Sequence, residues 1–297
     1  PPRSTLFPYT TLLRSTNFPS HSAPLWLRVL ACFVGSVLST VFAFILFSAL
    51  DALRAGQGLF LFGPVWDPRA GRFGIAAMIY ASFLLALSSL GAGWLLSLGC
   101  CCMLRGAAPR PAARFLMGIL RFMTAVPTVV YGFTATFVLV PVIRGALGGT
   151  GFCWLAAASM LALQGVPTMT LVMDGAMRSR SAETALTASA LGMTPLQHLA
   201  RVAIPGSRRA LLTAAVLGFG RALGDTLLPT MLAGNAVQFA RSPLDSMRSL
   251  TAHIGLVLSS DIGGGEHLSL LLAGGLLLIG SVCVSLLARN LGGRKSS

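Results

Sequence analysis

Apolar residues run along this chain in long continuous blocks, without the alternation or one-sided periodicity of a soluble domain. Six blocks of about 20 residues or more stand out, at 27–50, 74–98, 115–142, 152–173, 211–232 and 268–287. A helix rises about 1.5 Å per residue, so each block is long enough to cross a hydrocarbon core about 30 Å thick. The pattern predicts an all-α membrane protein with six transmembrane helices. Pro127 lies in the third block and Pro167 in the fourth. Both are expected to kink or locally break their helices, because proline removes a backbone donor and crowds the preceding turn.

Composition agrees with this reading and excludes others. Only 10% of the 297 residues are charged, against roughly a quarter in ordinary soluble domains. The net charge of +14 would in a soluble chain suggest nucleic acid. Here the arginines sit at the ends of apolar blocks, no polar basic domain carries them, and no nucleic-acid partner is expected. Arg105, Arg110, Arg114, Arg178, Arg180, Arg201, Arg208, Arg209, Arg289, Arg294 and Lys295 fall in loops on one side, and Arg54, Arg69, Arg72, Arg144, Arg241 and Arg248 on the other. The richer side is expected to be cytoplasmic, which places both termini inside. The six cysteines lie in or beside apolar blocks without paired spacing, so neither a metal site nor a cofactor is expected. Residues 5–15, TLFPYTTLLRS, resemble the translation of a sequencing adapter, and residues 1–24 are expected to be a non-native or disordered segment.

The loop at 175–210 has its own structural signals. Thr194 is placed as an N-cap, Pro195 at the first helical position and Gln197 three residues on, as in a capping box. Leu196, Leu199 and Val202 recur at helical spacing, and Pro205 is expected to end the run. A short helix on the cytoplasmic face suits docking of another protein, the alternative being a helix lying on lipid headgroups.

ALGMTPLQHLARVAIP, residues 190–205, resembles the cytoplasmic loop signature of ABC-transporter permeases, carried here by Gly192, Val202, Ile204 and Pro205. The family usually has a glutamate six residues before the glycine; this chain has Leu186 there and Glu183 one turn earlier. AVPTVVYGFTATFVLVP at 125–141 and GRALGDTLLPTMLAGN at 220–235 are similar to phosphate-specific permeases, more to the C-type (PstC) than to the A-type (PstA) subunit. The resemblance implies the ABC importer permease (MetI-like) fold over residues 74–290, preceded by a first transmembrane helix and periplasmic loop at 25–73. It also implies a bacterial inner-membrane subunit that moves inorganic phosphate. Its partners would be a PstA-like second permease, cytoplasmic ATPase subunits, a periplasmic phosphate-binding protein and membrane lipid. In the family the loop with Glu183, Gly192, Thr194, Val202, Ile204 and Pro205 fits a groove on the ATPase. Independently, the only lysine is Lys295, so no phosphate-binding ATPase loop is present and the chain is not expected to be an enzyme.

Arg221 and Asp225 lie within the fifth block. Ionisable residues inside a bilayer are costly and usually mark a pathway. Four apart, they would share a helix face and pair with each other. The functional alternative has Arg221 offering its donor fork to phosphate oxygens, with Asp225 holding Arg221 or accepting a bond from protonated phosphate and Thr226 lining the path. The family's matching arginine and acid are required for transport, the acid usually being glutamate. Another oxyanion, such as molybdate or sulfate, or a membrane enzyme acting on lipid phosphate, are the competing readings. Gly220 and Gly224 are read as close helix contacts, and Arg121 as a residue reaching back to the interface. His253 and His267 are read as solvated residues of an outer loop.

Overall fold

The computed structural model describes residues 25–52, 62–258 and 265–293. The expected non-native segment 1–24 lies outside the described residues. The chain divides into two units, residues 1–46 and 47–297. The described part of the first is helical and belongs to α1 (Leu25–Ala52), whose last turn falls in the second unit. Trp26, Phe33, Phe42 and Phe44 are all exposed along it, and a helix apolar on every side suits a lipid surround.

The second unit opens with a small antiparallel pairing of β1 (Trp66–Asp67) with β2 (Arg72–Phe73). The turn between them is fixed by Asp67, whose carboxylate accepts from the Arg69 and Ala70 amides. Helices α2 (Ala76–Cys102) and α3 (Arg110–Ala125) follow. Then come α4 (Thr128–Phe137), α5 (Leu139–Leu147) and α6 (Trp154–Ala190). The short α7 (Pro195–His198) leads through a wide turn into α8 (Arg208–Gly224). Finally α9 (Leu227–Leu232), α10 (Leu250–Leu258) and α11 (Gly265–Gly293) complete the unit.

At the centre is α6, packed against α2 and α8. Lipid is as apolar as leucine, so helices in a bilayer associate through close packing of small residues. Accordingly Ala156, Ala157 and Ala162 are buried on α6, and a Cβ at Gly93 of α2 would come within 3.1 Å of the Ala162 carbonyl oxygen. Met169, Met173 and Met177 continue this seam, with Leu199 and Ala203 beneath it. With 37 residues, α6 is roughly 55 Å long, well beyond the core of a bilayer, so residues 175–190 extend this rod instead of opening a loop.

Five helical stretches among the described residues are long and apolar enough to span a membrane: Leu25–Asp51, Ala76–Gly106, Thr128–Leu147, Trp154–Ser179 and Glu266–Leu291. Two of the six expected spans are therefore redrawn. The block 115–142 is divided between α3, α4 and α5, with extended backbone at Val126 and Pro127. The residue before a proline is pushed out of helical geometry, which accounts for the break. The block 211–232 is cut at Asp225, whose backbone is extended, leaving two helices of 17 and 6 residues. By contrast α6 passes through Pro167 without interruption. Pro205 does not end the run either. It lies in the first turn of the segment Ile204–Gly206, where its missing N–H is not needed, and the chain continues into α8.

Candidate functional site

The helices that follow the two breaks meet: α9, after Asp225, packs along α4, after Pro127. A Cβ at Gly132 would strike the Met231 sulfur at 2.5 Å and reach Leu228 at 3.5 Å. Each break recovers the backbone bonds it disrupts. Pro127 cannot donate to the Met123 carbonyl four residues back, and the Tyr131 hydroxyl donates to that oxygen at 3.0 Å instead. At the other break, Asp225 Oδ1 accepts from the Leu228 amide at 3.0 Å, capping α9. The Asp225 carbonyl accepts from Thr251 Oγ1 at 2.8 Å, tying this break to α10.

Asp225 leaves helical geometry directly after α8, so it does not share a continuous helix face with Arg221. The ion pair that helical spacing would allow between them is not formed: among the described residues no carboxylate pairs with Arg221. Arg221 is exposed on the surface of this chain and lies within electrostatic reach of Tyr131. Thr226 is also exposed, and its carbonyl accepts from both the amide and the hydroxyl of Thr230. Arg221 and Thr226 are thus both left open in the single chain, while Tyr131 is half-buried. Arg121 is exposed on α3, and Gly220 packs against Val284 of α11.

The 190–205 loop is ordered by its own caps. Gly192 has φ of +71° with nothing near its Cβ position, so glycine is there for backbone conformation and not for space. The Met193 amide reaches the Ala188 carbonyl and the Gly192 amide the Ser189 carbonyl, a Schellman closure of α6. Two residues on, Thr194 accepts from the Gln197 amide at 3.3 Å while Gln197 Oε1 accepts from the Thr194 amide at 3.0 Å. The capping box expected from the sequence is formed. Thr184 Oγ1 meets His198 Nε2 at 2.8 Å, clipping α7 back to α6. Leu199 and Ala203 are buried, Val202, Ile204 and Pro205 are half-buried, and Leu196 remains 55% exposed. Glu183 lies on α6, its side chain outside the described residues.

Other features were not legible beforehand. Arg105 donates to the Asp174 carboxylate at 2.6 Å and to its carbonyl at 3.1 Å, joining the turn after α2 to α6. Their separation of 69 positions gives no local signal. His253 is fully buried and not solvated as expected. It stands edge-on to Trp66 at 4.6 Å and contacts Ser269 Oγ through Nε2 at 3.1 Å. Burial first and the Arg248 charge second push its pKa down from 6.5 to about 4. Half-buried Asp245 is held below the usual carboxylate range by the Arg241 and Ser242 amides donating to Oδ2.

Residues 102–297 match the family described as binding-protein-dependent transport system inner membrane component. The probable ABC transporter permease protein YqgH of Bacillus subtilis is 31% identical over 234 residues, covering 77% of this chain and 76% of that protein. The phosphate transport system permease protein PstC of Xylella fastidiosa is 26% identical over 284 residues, covering 88% and 85%. Among solved structures, the inward-facing MetNI methionine ABC transporter aligns with a TM-score of 0.56 at 16% identity, covering 73% of this chain and 94% of that one. A bacterial ABC importer of alginate aligns at 0.53 and 15%, covering 92% and 99%. At these identities the structural matches establish a shared fold.

Proposed function

This chain belongs to the binding-protein-dependent transport system inner membrane components, and from that premise we propose that it is the PstC-type permease subunit of an importer of inorganic phosphate. It is a multi-pass membrane protein of the ABC permease fold. Members of this family act with ATPase and substrate-binding partners. The finer assignment is a PstA-like second permease beside this one, a phosphate-binding protein outside, and both termini of this chain in the cytoplasm.

The observation that carries the substrate reading is Arg221, an exposed arginine that pairs with no carboxylate among the described residues and lies in the last turn of α8, directly before the break at Asp225. Discontinuous helices line substrate sites in transporters because their irregular backbone is tolerated only beside a cavity or within protein. A planar fork of donors suits a tetrahedral oxyanion, and the relatives named for phosphate transport agree with that client. The second permease would close the open face and complete the path. Asp225 Oδ2 has no partner among the described residues, and it accepts a proton-bearing phosphate oxygen, which sulfate lacks. On the inner side, the doubly capped 190–205 segment is the contact for the ATPase, with Leu196 offered outward. A rigid segment transmits displacement that a floppy loop would absorb.

The deciding experiment is radiolabelled phosphate uptake in cells lacking their own importer, with the partner subunits supplied. Uptake by the wild-type chain and loss with Arg221→Ala are expected. Equal uptake by both would remove Arg221 from the path, and uptake blocked by excess molybdate or sulfate but indifferent to unlabelled phosphate would reassign the substrate.

A further inference from the structure

The break at Pro127 carries polar groups beyond those that repair the backbone. Gln164 of α6 is only 5% exposed, yet its Nε2 reaches out of the α6 core and donates to Thr128 Oγ1 at 2.8 Å. Its Oε1 has no partner. The Thr128 oxygen is accepting, so its own proton is turned away from Gln164, and among the described residues that hydroxyl donates to nothing. Thr128 is also the first residue of α4, a helix of 10 residues. First-turn amides lack intrahelical acceptors and form the positive end of the helix dipole, an arrangement suited to anions. Three residues on, Tyr131 shares the same face of α4, and Tyr131 is the residue within electrostatic reach of Arg221.

The geometry points to a second contact for the travelling oxyanion: the N-terminal turn of α4, with the Thr128 hydroxyl as donor and Gln164 as its positioning residue, on the face of α4 that Tyr131 shares near Arg221. This rests on the phosphate reading above and names the group that meets the ion on the α4 side. Thr128 supplies a hydrogen bond to a bare phosphate oxygen. A proline at this place is then functional: it ends α3 and opens the first turn of α4, where the Val130 amide turns back to the Pro127 carbonyl and the Thr128 hydroxyl is left as the donor.

The test is phosphate uptake by the complete importer in cells without their own, with the amount of each variant in the membrane measured by immunoblot. Thr128→Val keeps shape and removes the donor; it is expected to lower maximal uptake about tenfold, the effect of losing one hydrogen bond to a charged group. Thr128→Ser keeps the donor and is expected to retain at least half of wild-type uptake. Gln164→Met alone is expected to reduce uptake severalfold, and added to Thr128→Val to reduce it no further, because both changes remove one interaction. Wild-type uptake with Thr128→Val unaffected, Thr128→Ser as poor as Thr128→Val, or losses that multiply in the double variant would each overturn this inference while leaving the phosphate reading in place. If Thr128→Val fails to accumulate, Thr128→Ala takes its place with the same expectations. A wild-type chain that restores no phosphate uptake overturns the phosphate reading itself and this inference with it.

Discussion

Arg105, in the turn that follows α2, and Asp174 of α6 are locked through a two-point contact, Nε and Nη2 both within 2.6 Å of one carboxylate oxygen. The side chains are 20% and 10% exposed, so most of their hydration is gone. Removing one partner leaves the other charge largely buried, at a cost of about 3 kcal/mol. Asp174→Ala is therefore expected to lower the thermal unfolding transition of the detergent-purified complex. Replacing both residues by leucine should recover much of the loss. A double variant no more stable than the single one would show that the contact acts otherwise than as a charge pair.

Gly192 offers a cleaner test of the loop, because nothing lies within 4 Å of the Cβ that alanine would add. The cost of Gly192→Ala is the left-handed backbone alone, about 1 kcal/mol. Gly192→Asn, which tolerates that conformation, is expected to cost less. If the loop passes motion to the ATPase, uptake should fall in the same order while the amount in the membrane holds. Equal uptake in all three chains would separate the Schellman closure from coupling.

Asp225 is bound up with the start of α9, and its two contributions can be pulled apart. Asn caps helices about as well as Asp, whereas Ala loses about 1 kcal/mol. Thermal unfolding of Asp225→Asn is expected to match wild type and that of Asp225→Ala to fall below it. Phosphate-over-sulfate preference should be lost in both, since neither keeps a carboxylate. Preference retained in Asp225→Asn would reduce this residue to a cap.

His253 links stability to pH. Its pKa is depressed from 6.5 to about 4 in the folded chain, so between these values the unfolded chain binds the proton and the folded chain does not. The contribution is fully present above about pH 6.5 and is lost as the pH falls toward 4. The unfolding temperature of wild type is expected to drop over this window more steeply than that of His253→Gln. Parallel curves would assign the acid sensitivity to another group.

The local signals were readable because they act over a few residues. Thr194, Pro195 and Gln197 announce a capping box within four positions, and the structure forms it. Hydropathy found the bilayer-spanning material but not its breaks. In 115–142 and 211–232 the side chains stay apolar across the point where the backbone turns extended, and only Pro127 and Asp225 mark it. Helical spacing allows Arg221 to pair with Asp225, but that spacing ceases to apply once the helix ends between them. Arg105 with Asp174, Thr128 with Gln164 and Trp66 with His253 depend on how distant helices meet. Nothing along the chain encodes those meetings locally.

The open face around Arg221 also bears on assembly. A lone copy in the membrane would hold an unneutralised guanidinium against hydrocarbon, a cost of at least about 2.5 kcal/mol. Joining the neighbouring subunit relieves it. The residue proposed to meet the passenger would thus also penalise an orphaned subunit, so that stoichiometry is favoured by that same charge.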